Sequence, residues 1–247
     1  MNVEICIDSV ESAIAAARGG AKRVELCSAL SEGGITPSAG LISTVRAAIE
    51  IELFVIVRPR GGDFVYSDKE IVVMRRDIDE AKARGVDGVV LGILTRDGRV
   101  DIEHTRELVD LARPVRVTFH RAFDVCPNLG EALEDVIASG ADRILTSGGA
   151  PDAVHGMERI AELRQQAAGR ISIMPGGGVR AHNVRSLVLK TGVSEVHTSL
   201  SRGSEELAEL GTTPNGSRRY LVLEEDVRAF KAAIDATPLD VEPDVRR

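Results

Sequence analysis

The sequence feature that most constrains the fold is a pattern that recurs four times along the chain. In each repeat a glycine ends a helical stretch and a short β-prone run follows, with the glycines at Gly20, Gly85, Gly140 and Gly192. The glycines are 65, 55 and 52 residues apart, about twice the ~30 residues that one strand and one helix occupy. A second set of strands is therefore expected between them.

That second set is present, and it defines the fold class. Four further apolar runs rich in β-branched residues predict strands at 3–7, 53–57, 115–119 and 171–174. Helical periodicity between the strands predicts helices at 9–18, 38–49, 68–84, 102–112, 129–139, 152–168, 181–189 and 224–236. Eight strands alternating with eight helices predict an α/β fold, a single (β/α)₈ TIM-type barrel over residues 1–236. A doubly wound open sheet is the alternative, but that fold does not require four repeats of two strand–helix units each.

Two stretches lie outside this alternation. Residues 201–219 are rich in Gly, Ser and charge, and we predict a mobile loop there after the last strand. Residues 237–247 contain two prolines and are predicted to be a flexible C-terminal tail.

Composition excludes several classes of partner. The 247 residues include 31 Lys and Arg against 38 Asp and Glu, a net charge of −7, whereas phosphate backbones and anionic membranes need clustered positive charge. Aromatic residues make up 3% of the chain, with no Trp, too few for a base-stacking surface. We therefore expect neither a nucleic-acid nor a membrane partner. Three cysteines are too few and uneven for a secreted disulfide framework. The sequence also shows no secretory leader and no apolar run long enough to cross a bilayer. We therefore expect a cytoplasmic protein with reduced thiols.

Polar side chains are predicted to point into the barrel. Strand alternation separates inward from outward residues, and the inward or strand-end set is Glu4, Cys6, Asp8, Arg23, Glu25, Cys27, Arg58, Arg60, Arg116, Thr118, His120, Glu195, His197 and Ser199. Most such barrels are filled by Val, Ile and Leu instead. Two interpretations remain open: internal Arg–Glu pairs without chemistry, or a polar binding site at the barrel mouth.

Two segments are candidate anion-binding elements. Arg58 and Arg60 flank a proline and precede two glycines, a pattern suited to holding a carboxylate or phosphate. Pairing of these arginines with Glu25 and Asp63 explains the pattern equally well. After the seventh strand, Gly176, Gly177 and Gly178 lead into a predicted helix and form a candidate anion nest that Ser199 would complete. A tight turn alone also accounts for that glycine run.

Cysteine and histidine residues suggest metal or acid–base chemistry. Cys6 and Cys27 lie near the ends of the first two strands, which are neighbours about 4.8 Å apart, so both sulfurs can reach one ion. Soft thiolates select Cu(I) or Zn, and the lack of CxxC or paired-His spacing favours copper over four-coordinate zinc. Two buried thiols acting as apolar filler are the alternative. His120, at the end of the fifth strand, is either a general base or metal ligand, or a hydrogen-bonded structural residue.

At these residues the sequence resembles the CutC family of copper homeostasis proteins, from Glu4 to about Ser201. The resemblance rests on EICIDS from Glu4, RVELCS from Arg23, SEGGITPS from Ser31, and residues 58–68, 118–124, 145–149 and 195–199. It implies a TIM-type barrel, a cytosolic role in copper tolerance or trafficking, and Cu(I) as ligand in some members. Cys6 and Cys27 fall on the positions usually proposed as its ligands. Some members carry a further Cys where this chain has Ile7, so a ligand set using that position is absent here.

Three hypotheses about function follow, and they differ in class. The leading one is a cytosolic protein that binds copper as Cu(I) through Cys6 and Cys27. The second is an enzyme acting on a small phosphorylated or carboxylated metabolite, with His120, Glu25 and Arg58 as candidate catalytic residues. The third is a scaffold that assembles with itself as a homo-oligomer. The sequence assigns no role to Cys126.

Overall fold

The computed structural model describes residues 1–203 and 220–236, in which strands and helices alternate. The barrel strands are β1 Asn2–Ile7, β2 Arg23–Leu26, β3 Glu52–Ile56, β4 Gly88–Leu91, β5 Arg116–Phe119, β6 Arg143–Thr146, β7 Ser172–Pro175 and β8 Glu195–Thr198. The helices are α1 Val10–Arg18, α2 Ala39–Ala48, α3 Asp68–Ala83, α4 Ile102–Ala112, α5 Leu129–Ser139, α6 Met157–Ala167, α7 Val184–Thr191 and α8 Glu224–Asp235. Within these described ranges, none of the helices has the length and apolarity that a bilayer crossing requires.

The strands form a nearly closed parallel barrel. Their order is β7-β6-β5-β4-β3-β2-β1-β8, so each strand lies beside its sequence neighbour and β1 also pairs with β8. Strands β7 and β8 contact each other at the seam. This arrangement confirms the predicted (β/α)₈ TIM-type barrel.

The repeated glycines act as helix terminators. Gly140 follows α5 with φ +85° and Gly192 follows α7 with φ +67°, the left-handed conformation that glycine adopts without a Cβ clash. Gly20 and Gly85 also have positive φ. The chain then enters β2, β4, β6 or β8 within a few residues, so each repeated glycine marks the start of one of these strands.

Helices α4 and α5 have the predicted bounds, but α6 and α7 begin later than predicted. Residues 152–156 form turns instead of helix, because the Asp152 carboxylate accepts hydrogen bonds from the backbone N–H of His155 (2.9 Å) and closes a local turn. Before α7, the Asn183 side chain accepts from Arg180 N–H (2.8 Å) and donates to Gly178 O (2.9 Å). Side chains that satisfy backbone groups locally therefore delay both helices.

An apolar layer separates the barrel from its helices. Val3, Ile5 and Ile7 of β1 belong to this layer together with Ala13 and Ala16 of α1. They alternate with Glu4 and Cys6, which were predicted to point inward. A smaller apolar cluster contains Cys6, Cys27, Phe54, Ile56 and Val90. Arg116, predicted to point inward, is instead exposed at the start of β5, where solvent spares the guanidinium the cost of burial.

The chain after β8 begins with a strand, although a loop was predicted over residues 201–219. Ser201–Gly203 form β9, which pairs antiparallel with β10, Tyr220–Val222. The Ser12 hydroxyl accepts a hydrogen bond from Val222 N–H (3.2 Å), and Arg202 donates to Asp226 (2.8 Å), so this pair is fixed to α1 and α8. The rest of the predicted loop, 204–219, and the predicted tail 237–247 lie outside the described residues.

Candidate functional site

A layer of buried ion pairs lies below the barrel mouth. Arg23 of β2 donates to Glu4 of β1 and, at 2.8 Å, to Glu195 of β8, and Arg143 of β6 donates to the same Glu195 at 2.8 Å. The Phe54 ring lies 4.9 Å from the Arg23 Cζ and 5.4 Å from the Arg143 Cζ. Internal Arg–Glu pairing therefore accounts for this part of the polar interior.

Above this layer, a cavity of about 260 Å³ opens at the carboxyl ends of the strands. It is lined by Cys6, Glu25, Cys27, Gly33, Ile56, Arg58, Phe64, His120, Arg121, Leu145 and His197. Strands β1 and β2 bring Cys6 and Glu25 into register, with Cys27 just beyond the end of β2. The candidate residues Cys6, Cys27, Glu25, Arg58 and His120 thus share one cavity, whereas Arg60 lies outside its lining.

The two cysteines converge in this cavity. Their Sγ atoms are 3.7 Å apart, and both thiols are buried. The hydrogen bond from Cys27 lowers the pKa of the Cys6 thiol below its usual range, against the opposing effect of burial. The same bond, with burial, raises the pKa of Cys27. Cys6 is therefore the sulfur that carries negative charge more readily, and Cys27 is its donor.

His197 and Glu25 complete the polar side of the cavity. The Glu4 Oε1 lies 2.7 Å from His197 Nδ1, and the Glu25 Oε2 lies 3.7 Å from His197 Nε2. Burial raises the pKa of Glu25. Burial alone would lower the pKa of His197, but Cys6 and Glu4 raise it above its usual range. One group of possible metal-binding atoms comprises Cys6, Glu25 and Cys27, and a second comprises Glu4, Glu25 and His197, each within 4.8 Å.

His197 is among the residues predicted to point inward, but the sequence indicates no role for it. Its contact with Glu4 joins residues 193 positions apart, across the pairing of β8 with β1. The alternation of β8, in which Glu195 and His197 share one face, was the signal available in the sequence.

The two arginines of the β3 loop have different surroundings. Arg58 Nη1 donates to Glu32 O (2.7 Å) and Gly34 O (2.9 Å), and Nη2 donates to Gly62 O (2.7 Å). The Arg60 guanidinium donates instead to Asp63 (3.0 Å) and Glu70 (2.6 Å). Pairing with Asp63 thus holds for Arg60 alone, and Arg58 ties three backbone carbonyls together.

His120 is a neutral, buried ring at the cavity wall. Burial and the nearby Arg58 charge lower its pKa to about 3. Its Nδ1 accepts the backbone N–H of Ala122 (3.2 Å), so the proton resides on Nε2. The Phe64 ring lies 4.9 Å from the imidazole, centroid to centroid.

The glycine run after β7 lies at the rim of the cavity, behind residues of its lining. Gly176 N–H donates to Thr146 O (2.9 Å), and α7 begins at Val184, so five residues separate Gly178 from the helix. Gly177 has φ +92°, and a Cβ there would lie 3.1 Å from Arg121 Nη1. Ser199 follows β8 and is half-buried. Gly177 thus leaves room for Arg121, a cavity residue outside the predicted set of site residues.

Comparison with known proteins identifies relatives for this barrel. The model of the CutC family matches residues 1–202. A CutC family protein from Chromobacterium violaceum is 47% identical over 242 residues, covering 94% of this chain and 98% of the relative. A human protein named copper homeostasis protein cutC homolog is 50% identical over 197 residues, 80% of this chain and 72% of that protein. The crystal structure of CutC from Streptococcus agalactiae is 34% identical, with a TM-score of 0.77, covering 81% of this chain and 98% of that one.

Proposed function

This chain belongs to the CutC family, and we propose that it is a cytoplasmic copper homeostasis protein that binds Cu(I) through Cys6 and Cys27. The observation that carries the proposal is the convergence of two buried sulfurs, 3.7 Å apart, in the cavity at the barrel mouth. Human and mouse relatives, each 50% identical to this chain, are named copper homeostasis proteins. All three cysteines are free thiols, as the reducing cytoplasm favours.

The spacing of the sulfurs suits one shared metal ion. Metal–thiolate bonds are about 2.3 Å long, so sulfurs 3.7 Å apart could both contact one ion. Binding requires both sulfurs as thiolates, and the lowered pKa of Cys6 makes its thiolate available near neutral pH. Copper would displace the proton of Cys27, since metal binding releases protons from its ligands.

The neighbours of the sulfurs favour a soft monovalent ion. Two thiolates and Cu(I) carry a net charge of −1, which the imidazolium of His197, held by Glu4, offsets. Zn²⁺ prefers four ligands, whereas the oxygen of Glu25 completes a group of three with Cys6 and Cys27. Thiolates rank above carboxylates as ligands for Cu(I), so Glu25 is a neighbour of the ion in this proposal and not a ligand.

The test is an anaerobic titration of Cu(I) against bicinchoninate, a competing chelator. The Cys6→Ser, Cys27→Ser double variant should bind Cu(I) more than about 100-fold more weakly than the parent. Mutating residues that only support the ligands already weakens metal binding by about 10- to 100-fold, and this variant removes the ligands themselves. Cys126→Ser is the matched control: this third buried thiol lies outside the cavity and contacts Ala122 O at 3.7 Å. It should bind copper as the parent does. Equal affinity in the double variant and the parent, with both folded by circular dichroism, would refute the proposal.

A further inference from the structure

The cavity holds a buried positive charge that the thiol pair does not use. Arg58 is 5% exposed, and its guanidinium contacts backbone carbonyls of Glu32, Gly34 and Gly62. Among the described residues, no carboxylate forms an ion pair with it. Burying an unpaired charge is costly, so an anion beside Arg58 would be strongly favoured.

Two hydrogen-bond donors in the cavity lining also lack partners. Three of the five N–H donors of Arg58 are used by the carbonyls, and its Nε makes no hydrogen bond within the described part of the chain. The Tyr66 hydroxyl interacts with the Arg58 guanidinium but is likewise left without a hydrogen bond. The same holds for Nε2 of His120, which is also 5% exposed. Because His120 Nδ1 accepts from Ala122 N–H, Nε2 carries the proton and is a donor. Buried donors nearly always have partners in native proteins, so a molecule held in the cavity should accept from these two nitrogens.

An aromatic side chain holds these two donors in place. The Phe64 ring centroid lies 5.1 Å from the Arg58 Cζ and 4.9 Å from the His120 ring. Phe64, Ile56 and Leu145 supply apolar wall to the same cavity. Its volume of about 260 Å³ is just below the range of about 300–1,000 Å³ typical of drug-sized ligands. The cavity therefore suits a small molecule with one anionic end and a short carbon skeleton.

We infer that the barrel mouth binds the carboxylate of a small organic acid, with Arg58 Nε–H and His120 Nε2–H as its donors. One guanidinium and one neutral imidazole balance a single negative charge, and the planar guanidinium matches carboxylate geometry. Arg121, the other arginine in the lining, is already paired with Asp124 at 2.7 Å, which leaves less positive charge for a phosphate dianion. The site uses neither sulfur, so it does not depend on the copper proposal.

The first experiment is a titration of metal-free, reduced protein followed by the NMR signals of the His120 ring. The probes are acetate, pyruvate and malonate, with inorganic phosphate as a separate arm. We expect saturable shifts with at least one carboxylate and weaker binding of phosphate. Saturation by phosphate alone would overturn the assignment to a carboxylate. The absence of saturable shifts with every probe would overturn the site.

The second experiment measures the affinity of the best carboxylate by calorimetry in four variants. Arg58→Gln and His120→Asn should each weaken binding by about 10- to 100-fold, the effect of one hydrogen bond to a charged group. His120→Asn keeps an acceptor for Ala122 N–H, so it remains informative if loss of the Arg58 contacts prevents folding. Arg116→Gln removes an exposed charge at the other end of β5 and should bind as the parent does.

The fourth variant is a second control that keeps both sulfurs of the proposed copper site. Cys126→Ser changes a buried thiol outside the cavity lining and should bind the carboxylate as the parent does. Parental affinity in both Arg58→Gln and His120→Asn would refute the role of these donors.

Discussion

Glu195→Gln should destabilise the barrel much more than the same substitution does at the surface. The buried Glu195 carboxylate accepts from Arg23 Nη2 and Arg143 Nε, each at 2.8 Å, and from the Ser172 hydroxyl. Glutamine keeps the shape but removes the charge that the two guanidinium groups share. It also turns one acceptor oxygen into an amide donor that faces an arginine.

The magnitude follows from what each arginine retains. Arg23 keeps Glu4 as a counter-charge, whereas the other partner of Arg143 is the neutral hydroxyl of Thr118 at 3.1 Å. Arg143 is therefore the arginine that loses its counter-charge. Removing one partner of a buried ion pair lowers the free energy of unfolding by about 3–5 kcal/mol. For a chain of this size each kcal/mol moves the Tm by about 2–4 °C, so we expect a drop of about 6–20 °C.

The same carboxylate fixes the pH dependence of this effect. Burial alone would raise the pKa of Glu195, but Arg143 and Arg23 lower it below its usual range. A carboxyl with a lowered folded-state pKa contributes stability above its unfolded pKa of about 4.3, and loses it as the pH falls through the folded value. The difference between Glu195→Gln and the parent should therefore be largest near neutral pH and shrink in acid.

Urea unfolding at pH 7 and pH 3 tests both expectations. Far-UV circular dichroism is the suitable signal, since the chain has no Trp. The matched control is Glu134→Gln, which removes a carboxylate from a surface pair with Arg170 in which both side chains are 45% exposed. Surface pairs contribute little, so this variant should unfold near the parental midpoint. An equally small shift for Glu195→Gln at pH 7 would refute the reasoning.

Three further predictions concern packing and thiol reactivity. Gly88→Ala should cost about 1–3 kcal/mol in urea unfolding, because its Cβ would lie 2.4 Å from the buried Phe54 ring; parental stability would contradict this. Gly40→Ala, in α2 with open space around the new Cβ, should instead gain about 0.5–1 kcal/mol, and a loss would be the contrary result. Cys27→Ala should slow iodoacetamide labelling of Cys6 at pH 7, measured by mass spectrometry, because the Cys27 hydrogen bond lowers the pKa of Cys6. Unchanged labelling would show that this bond does not control the thiol.

Local rules predicted the barrel and the convergence of its cysteines. Glycine at positions such as Gly140 ends a helix by its own conformational preference, and strand alternation fixes which face Cys6 and Glu4 occupy. Both rules act within a few residues, so one sequence suffices to apply them. The start of α6 was predicted too early because the Asp152 side chain competes with the helix for backbone N–H groups.

The partners of the charged groups could not be predicted in the same way. The sequence offered Glu25 or Asp63 as counter-charges for Arg58, but the loop after β3 brings Arg58 to backbone carbonyls and gives Asp63 to Arg60. His197 depends on Glu4 at the opposite end of the described barrel sequence. Such pairings are set by how loops and the two ends of the sheet meet, and alternation along one strand carries no information about them.

The β9–β10 pair bears on how many residues can connect these two strands. Gly203 pairs with Tyr220, so the chain leaves the barrel and returns to it at a single place that α1 and α8 hold. Closing a loop twice as long costs only about 0.6 kcal/mol more, and here the ends are already joined. A change in the number of residues between these two positions should therefore cost the barrel little, provided that β9 and β10 keep their pairing.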